Sequence, residues 1–492
     1  MQRSEHRWGL KLLILFCGIG AILLLMAWPA RQRSSQISPS GDFVFREARP
    51  TRDEIAGAAP RGKSTHGLAW SWTMTSWFMS RFEDLMSWDM NPWHRTRRSF
   101  GSHYFDLIGS DNPADQEKVR ELRVKADELF QQILQRYPEL AIEFRDVPDE
   151  KNGFLQWLAF SKRMDELSGE GTRGSGKLEL PKFYEQFQDK SGSWNLAEAK
   201  AWLAENSALM DELRTIGLMP ERSSAGIDMG EYAFEPVRLM KSCTEALMME
   251  SRVAAEEGRV QDAMSAVQAA KGLADQMGGV ETPTLLSETV RILVNRSIQN
   301  RVVTEIIPAL APSQIDVSAW QEAVNPTLRA PHDLGELMKS EWYVSTSSYI
   351  VPILADIEDP FYPPDPADLI DAHALSALRT RDHFEGNSPT DWVRTSGRGA
   401  VAHDFSHLSI QGRDLLETFY IGADAWILGY QRAQSATGMT QAAFAIMKGE
   451  PLPLDPIYGQ PYRWDPETRQ LSAPDTPEFS DLNLDPIAVP QP

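Results

Sequence analysis

The chain has 492 residues, 42% of them hydrophobic, with 15 Trp. That is enough for two or three domains or one extended body with a sizeable core. The formal net charge of −20 argues against a nucleic-acid binder, whose affinity comes from neutralising phosphates with Lys and Arg, and against charge-driven docking on anionic lipid. Only Cys17 and Cys243 are present, so there is no disulfide framework and no cysteine metal site.

Residues 1–11 form a short tail carrying Arg3, Arg7 and Lys11. Residues 12–28, LLILFCGIGAILLLMAW, hold no charge. As a helix this run covers about 26 Å, close to the hydrocarbon thickness of a bilayer. Leu12, Ile14, Leu15, Ile19, Ile22 and Leu24 are its lipid anchors, and Trp28 sits at the interface, where amphipathic rings are favoured. A cleaved signal is the competing reading. It needs small residues at the cleavage site, which Leu25-Met26-Ala27 fits poorly. A lipoprotein signal needs a small residue before Cys17, where Phe16 stands. The run reads as a retained single-pass helix in the inner (cytoplasmic) membrane. Arg3, Arg7 and Lys11 on one side nearly balance Arg31, Arg33 and Arg46 on the other. A short basic tail before a lone hydrophobic run usually stays behind, which puts residues 1–11 in the cytoplasm and the body in the periplasm or otherwise outside the cytoplasm.

Residues 29–65 are rich in Ser, Gly and Pro and read as a flexible tether. A helical body is expected over 66–440. It opens with an aromatic stretch to residue 108, where Trp70, Met74, Trp77, Phe78, Phe82 and Leu85 recur at helical spacing. The stretch reads as a core-facing helix, with a membrane-surface helix or an aromatic groove as alternatives. Val119, Leu122, Ala126, Leu129, Ile133 and Tyr137 mark a helix opened by Pro113. A second helix follows Pro148, a Gly-rich loop spans 169–176, and a third helix is expected from about 196 to 217.

Next comes a pair of antiparallel helices. Val237, Met240, Cys243, Leu247, Ser251 and Ala254 line one; Val260, Ala263, Met264, Val267, Ala270, Ala274 and Met277 line the other. Glu256-Glu-Gly-Arg259 turns the chain between them. The pair resembles one tetratricopeptide-like hairpin, without a second copy at a fixed period. Thr282-Pro283 is the expected cap of a further helix running to Pro308. Residues 308–335 and 350–368 are proline-broken, and 367–380 and about 398–433 return to helix. Residues 441–471 are expected to form a short helix, capped by Thr440, and a small β-hairpin, with Asp455, Pro456 and Gly459 as turn residues and Tyr462 and Trp464 packing inward. Residues 472–492 hold Pro and Asp with little to pack and are expected to be disordered. The fold class is therefore mainly α, with an N-terminal transmembrane helix and a small C-terminal hairpin.

Few motifs carry chemistry. Gly171, Gly176 and Lys177 match part of a phosphate loop, but Leu178 stands where Ser or Thr must hold magnesium. His403 and His407 lie at i, i+4 on an expected helix, a spacing that can place two imidazoles on one metal. Asp404 replaces the Glu of the zinc-hydrolase motif, and solvated or capping histidines explain the pair more simply. There is no nucleophile elbow and no dinucleotide fingerprint. Cys243 lies on an apolar helix face and reads as packed. Nothing in the sequence calls for a cofactor.

Pro148-Asp-Glu-Lys-Asn152, Trp202-Leu-Ala-Glu-Asn206, Ala254-Ala-Glu-Glu-Gly258 and the tail Pro453-Leu-Asp-Pro456 with Gly459-Gln-Pro-Tyr-Arg-Trp464 carry a resemblance. It is to uncharacterised helix-rich single-pass membrane proteins of the planctomycete–verrucomicrobial lineage. Residues 451–464 also resemble the D-P-x-x-G-x-P-Y segment of major pseudopilins, although the N-terminus lacks the prepilin pattern. The resemblance implies architecture and compartment, and no activity. The expected function is a protein-interaction or envelope scaffold module, bound to lipid through its N-terminal helix and to an envelope protein through its body. The alternatives are an envelope metal-dependent hydrolase using His403 and His407, or a pseudopilin-like secretion accessory.

Overall fold

The computed structural model describes residues 112–168, 178–227, 237–325, 333–356, 362–386, 405–410, 423–476 and 484–491, with a few single positions besides. The expected anchor, the tether, the aromatic stretch to 106 and the Gly-rich loop lie outside them. Among the described residues no helix is long and apolar enough to cross a membrane. The body is mainly helical, with one small antiparallel sheet near the C-terminus.

Helix α1, Pro113–Arg136, begins where Asn112 accepts the Ala114 N–H at 3.1 Å. Proline at the first position has no N–H to leave orphaned. Val119, Leu122, Ala126, Phe130 and Ile133 form its buried stripe. Then come α2 Gly153–Ser168, α3 Lys182–Gln188, α4 Leu196–Glu205 and α5 Ser207–Gly217. The single helix expected over 196–217 is thus two. The two meet at Asn206, which leaves helical geometry at φ −103°, ψ 22° while its side-chain amide donates to the Trp202 carbonyl at 2.8 Å.

Helices α6, Val237–Glu256, and α7, Val260–Gly278, form the expected hairpin, and Gly258 turns it at φ +72°. Met240, Cys243, Leu247 and Ala254 are buried against Ala263, Val267, Ala270 and Ala274. Ser251 donates to the Ala263 carbonyl at 2.9 Å, which such small neighbours permit. Helix α8, Leu285–Arg301, is capped by Thr284, not by Thr282-Pro283: Thr284 and Ser287 exchange hydrogen bonds at 3.0 and 2.9 Å. This reciprocal box satisfies two otherwise orphaned donors.

A π turn, Val302–Ile306, continues α8, and α9 spans Val317–Val324. Helix α10, Asp333–Ser345, runs through a second π turn, Thr346–Ile350, into α11, Val351–Ala355. The helical path therefore passes through Pro352, where a break was expected. Both π turns end two residues before a proline, in Ile306-Ile-Pro308 and Ile350-Val-Pro352. Proline cannot close an i→i−4 bond, and a wider turn just upstream accommodates the missing donor. Helix α12 is Pro366–Gly386. Helix α13, Ala423–Lys448, is continuous where two helices were expected. Thr440 lies inside it and donates to the Ala436 carbonyl at 3.2 Å, so it is no cap. Gly449, at φ +69°, ends the helix as its sequence implies.

Two large cores result. One joins α2, α6, α7, α8 and α13 around Trp157, Trp320 and Phe444. The other packs α1 on α10, α11 and α12 around Phe130, Tyr137, Trp342 and Leu369. The expected hairpin is strands β1, Arg463–Asp465, and β2, Gln470–Ser472, with Trp464 opposite Leu471. A third strand, β3 Ile487–Ala488, pairs with β2 and sets Ile487 opposite Leu471. Ile487 and Val489 are buried there, as are Phe479 and Leu482. The tail expected to be disordered is thus part of the fold: its sparse apolar residues close the face that the hairpin alone leaves open.

Candidate functional site

His407 is exposed in a non-helical turn over 405–409, so the helical spacing that joined it to His403 does not hold at this end. His403 and the anchor residues Leu12 to Trp28 lie outside the described residues. Among the described residues no group of three or more His, Cys, Asp or Glu side chains could hold a metal. His373 is buried between helices, with Nε2 3.2 Å from Ser345 Oγ and its ring 6.0 Å from that of Trp342.

The predicted C-terminal turn is brought together as one unit. Buried Asp455 accepts the Ile457 and Tyr458 N–H groups at 2.9 and 2.8 Å and the Tyr462 hydroxyl at 3.0 Å. Gly459 takes φ +65°. A Cβ on Gly438 of α13 would collide with the Tyr462 hydroxyl and lie 2.7 Å from Pro456 Cδ, so this glycine seats the turn on the helix. Burial, then Asp455, pushes the Tyr462 phenol far above its ordinary range. Trp464 is only half-buried, with the Arg469 guanidinium 5.6 Å from its ring centre. The unit is structural chemistry.

Buried arginines elsewhere are matched by acids. Arg291 binds Glu288 at 2.8 and 2.5 Å and reaches Asp275 at 3.4 Å. Burial would lower its pKa, but the two carboxylates outweigh that and raise it. Arg301 binds Glu305 at 3.1 Å and the Tyr184 hydroxyl at 2.5 Å. Arg136 forms a two-point pair with Asp371 at 2.8 and 2.9 Å. Such pairs hold helices in register at large desolvation cost.

One arginine departs from this pattern. Arg222 lies in the segment after α5, half-buried, beside the end of α7. Among the described residues its guanidinium makes one hydrogen bond, a long contact to the Pro220 carbonyl at 3.4 Å. Among the described residues no carboxylate lies within ion-pair distance of it. The charges that act on it are Asp275, Arg145 and Arg291, and burial together with the two arginines lowers its pKa against the pull of Asp275. Asp275 is already engaged by Arg291 at 3.4 Å and Lys271 at 3.5 Å. Arg145 pairs with Glu281 and donates through Nη2 to the Gly279 carbonyl at 3.1 Å. Glu281 also accepts the Ser224 N–H at 2.8 Å. A Cβ on Gly279 would sit 2.8 Å from Arg222 Cδ and 2.9 Å from its Nη1, so a glycine is what lets Arg222 lie across this loop.

Arg145 and Arg222 thus meet at Gly279 and Arg291 lies against Gly278, each from a different part of the chain. Sequence reasoning did not find them, because no spacing links residues so far apart. The Gly278-Gly279 pair is the one local signal. Comparison of the chain with protein-family models, with curated proteins and with solved structures finds no match.

Proposed function

We propose that this protein is a membrane-tethered scaffold module whose helical body, outside the cytoplasm, binds a second envelope protein. The observation that carries this is charge placement on a rigid frame. Residues 1–111 hold fourteen Lys and Arg against ten Asp and Glu, whereas 112–492 hold 35 against 59. The acidic excess therefore belongs wholly to the body, where helices fixed by buried ion pairs present it in one geometry. A surface of this kind suits a partner with a basic face, steered by complementary charge, and is repelled by anionic lipid. The charge-free run at 12–28 supports the tether.

Two measurements test the reading. A reporter active only outside the cytoplasm, fused after residue 60, is expected to be active; activity of a cytoplasm-only reporter there overturns the orientation. Crosslinking in native membranes, followed by detergent extraction, is expected to recover one dominant partner whose capture weakens with salt. Recovery of none, or of lipid adducts alone, overturns the scaffold role.

A further inference from the structure

We propose that Arg222 and Arg145, on either side of Gly279, form a binding site for a small oxyanion of the phosphate or carboxylate kind. The local charge balance runs against that of the body. Arg222 and the charges linked to it make four cations, Arg222, Arg145, Arg291 and Lys271, against three carboxylates, Asp275, Glu281 and Glu288. Each carboxylate is already bound: Glu288 by Arg291, Asp275 by Arg291 and Lys271, Glu281 by Arg145 and Ser224. Arg222 is the cation left over, in a body with 59 acidic residues from which to draw a partner. Among the described residues Asp275, shared with Arg291 and Lys271, is the one carboxylate that offsets the two neighbouring guanidinium groups at Arg222, and a bound anion would complete that balance.

The donors suit an oxyanion. A guanidinium offers a planar fork that matches a carboxylate or phosphate at two points. Among the described residues the Arg222 fork is nearly unused. Arg145 uses Nε for Glu281 and Nη2 for Gly279, leaving Nη1 without an acceptor among the described residues. Both side chains reach solvent: the Arg145 side chain is 51% exposed and Arg222 is half-buried. The site is anchored from below, since Ser223 Oγ donates to the Arg145 carbonyl at 2.9 Å and Asn152 bonds the Ser223 backbone at 2.9 and 3.0 Å. Gly279 brings the two together: Arg222 packs where a Cβ would otherwise stand, and Arg145 donates to the Gly279 carbonyl at 3.1 Å. The proposal rests on neither the tether nor a protein partner.

The test is thermal unfolding of the detergent-solubilised full chain, followed by tryptophan fluorescence, in inorganic phosphate, in acetate and in chloride at matched ionic strength and pH 7.5. Ligand binding only the folded state raises the midpoint by mass action. Phosphate at about ten times its dissociation constant is expected to raise Tm by roughly 2 °C over chloride. The rise should persist in Arg163→Gln, which alters a surface ion pair elsewhere, and vanish in Arg222→Gln. A rise in acetate as well assigns the site to carboxylates and phosphates alike; a rise in phosphate alone assigns it to phosphates. No rise over chloride, or an equal rise in Arg222→Gln, overturns the site. Should Arg222→Gln fail to fold, Arg222→Lys is read instead. Loss of the two-point fork is expected to weaken phosphate about tenfold, and unchanged affinity overturns the proposal.

Discussion

Gly272 of α7 and Gly217 at the end of α5 meet backbone to backbone. A Cβ on Gly272 would collide with the Gly217 carbonyl oxygen, and one on Gly217 would lie 2.8 Å from the Ala269 carbonyl carbon. The approach fixes how α5 crosses α7, and so where the following segment delivers Arg222.

Gly272→Ala must therefore push one helix off the other. It is expected to cost about 1–3 kcal/mol, toward the upper end because the obstacle is backbone. Gly386→Ala, where nothing lies within 4 Å of the added carbon, is the control and should change stability by less than about 0.5 kcal/mol. Urea unfolding of the two variants makes the comparison; equal midpoints would show that the helices separate freely.

The buried pair of Arg291 and Glu288 makes a second case. Their side chains are 5% and 1% exposed. Glu288→Ala strands a buried guanidinium and is expected to cost about 3–5 kcal/mol. Replacing both, as Glu288→Leu with Arg291→Met, is expected to recover most of that, because two apolar side chains carry no desolvation penalty. A double variant no better than the single one would mean that the pair is held by more than its own charges.

At the C-terminus, the energetic weight falls on Leu471 more than on Trp464. Leu471 is 0% exposed and pairs with both neighbouring strands. Leu471→Ala is expected to cost about 2–5 kcal/mol. Trp464→Ala should cost roughly 1–2 kcal/mol, since only part of the ring leaves water. Chains ending at residue 483 lose β3, and are expected to unfold earlier than the full chain. Thermal melts that rank the two substitutions the other way would refute this account of the sheet.

Stability should fall in acid partly through Glu281. Burial pushes its carboxyl up, but the Ser224 N–H and the Arg145 guanidinium outweigh that and hold it below its usual 4.5. A folded-state pKa below the unfolded one gives stability that is present above about pH 4.5 and lost as pH falls through the folded value. Glu281→Gln is expected to flatten the stability profile below pH 4.5 and to lower stability at neutral pH. An unchanged acid limb would remove Glu281 from the account.

Much of the helical body was legible because its signals are local. The small residues of α6 and α7 repeat at helical spacing, Gly258 marks their turn, and Pro113 marks the start of α1. The misreadings have local causes too. Asn206 and Thr440 are both polar residues within helical patterns, and both side chains bond back to the carbonyl four residues earlier; the helix divides at one and continues through the other, and the sequence around them does not distinguish the outcomes. Pro352 looks like a stop, and a π turn lets the helix pass. The Thr284 cap was missed by two residues because Thr282 offers the same hydroxyl.

By itself the sequence determined the mainly helical class, the α6–α7 hairpin, the β1–β2 hairpin with its Asp455–Gly459 turn, and the charge of the body. Each follows from periodicity, capping or composition, which act over a few residues or over the whole chain. Tertiary structure alone decided that Ile487 and Val489 complete the sheet, that Gly438 receives Tyr462, and that Arg145, Arg222 and Arg291 converge on the Gly278-Gly279 pair. Those outcomes depend on which surfaces can approach closely enough to exclude water and bring distant charges within reach, and no spacing along the chain encodes that.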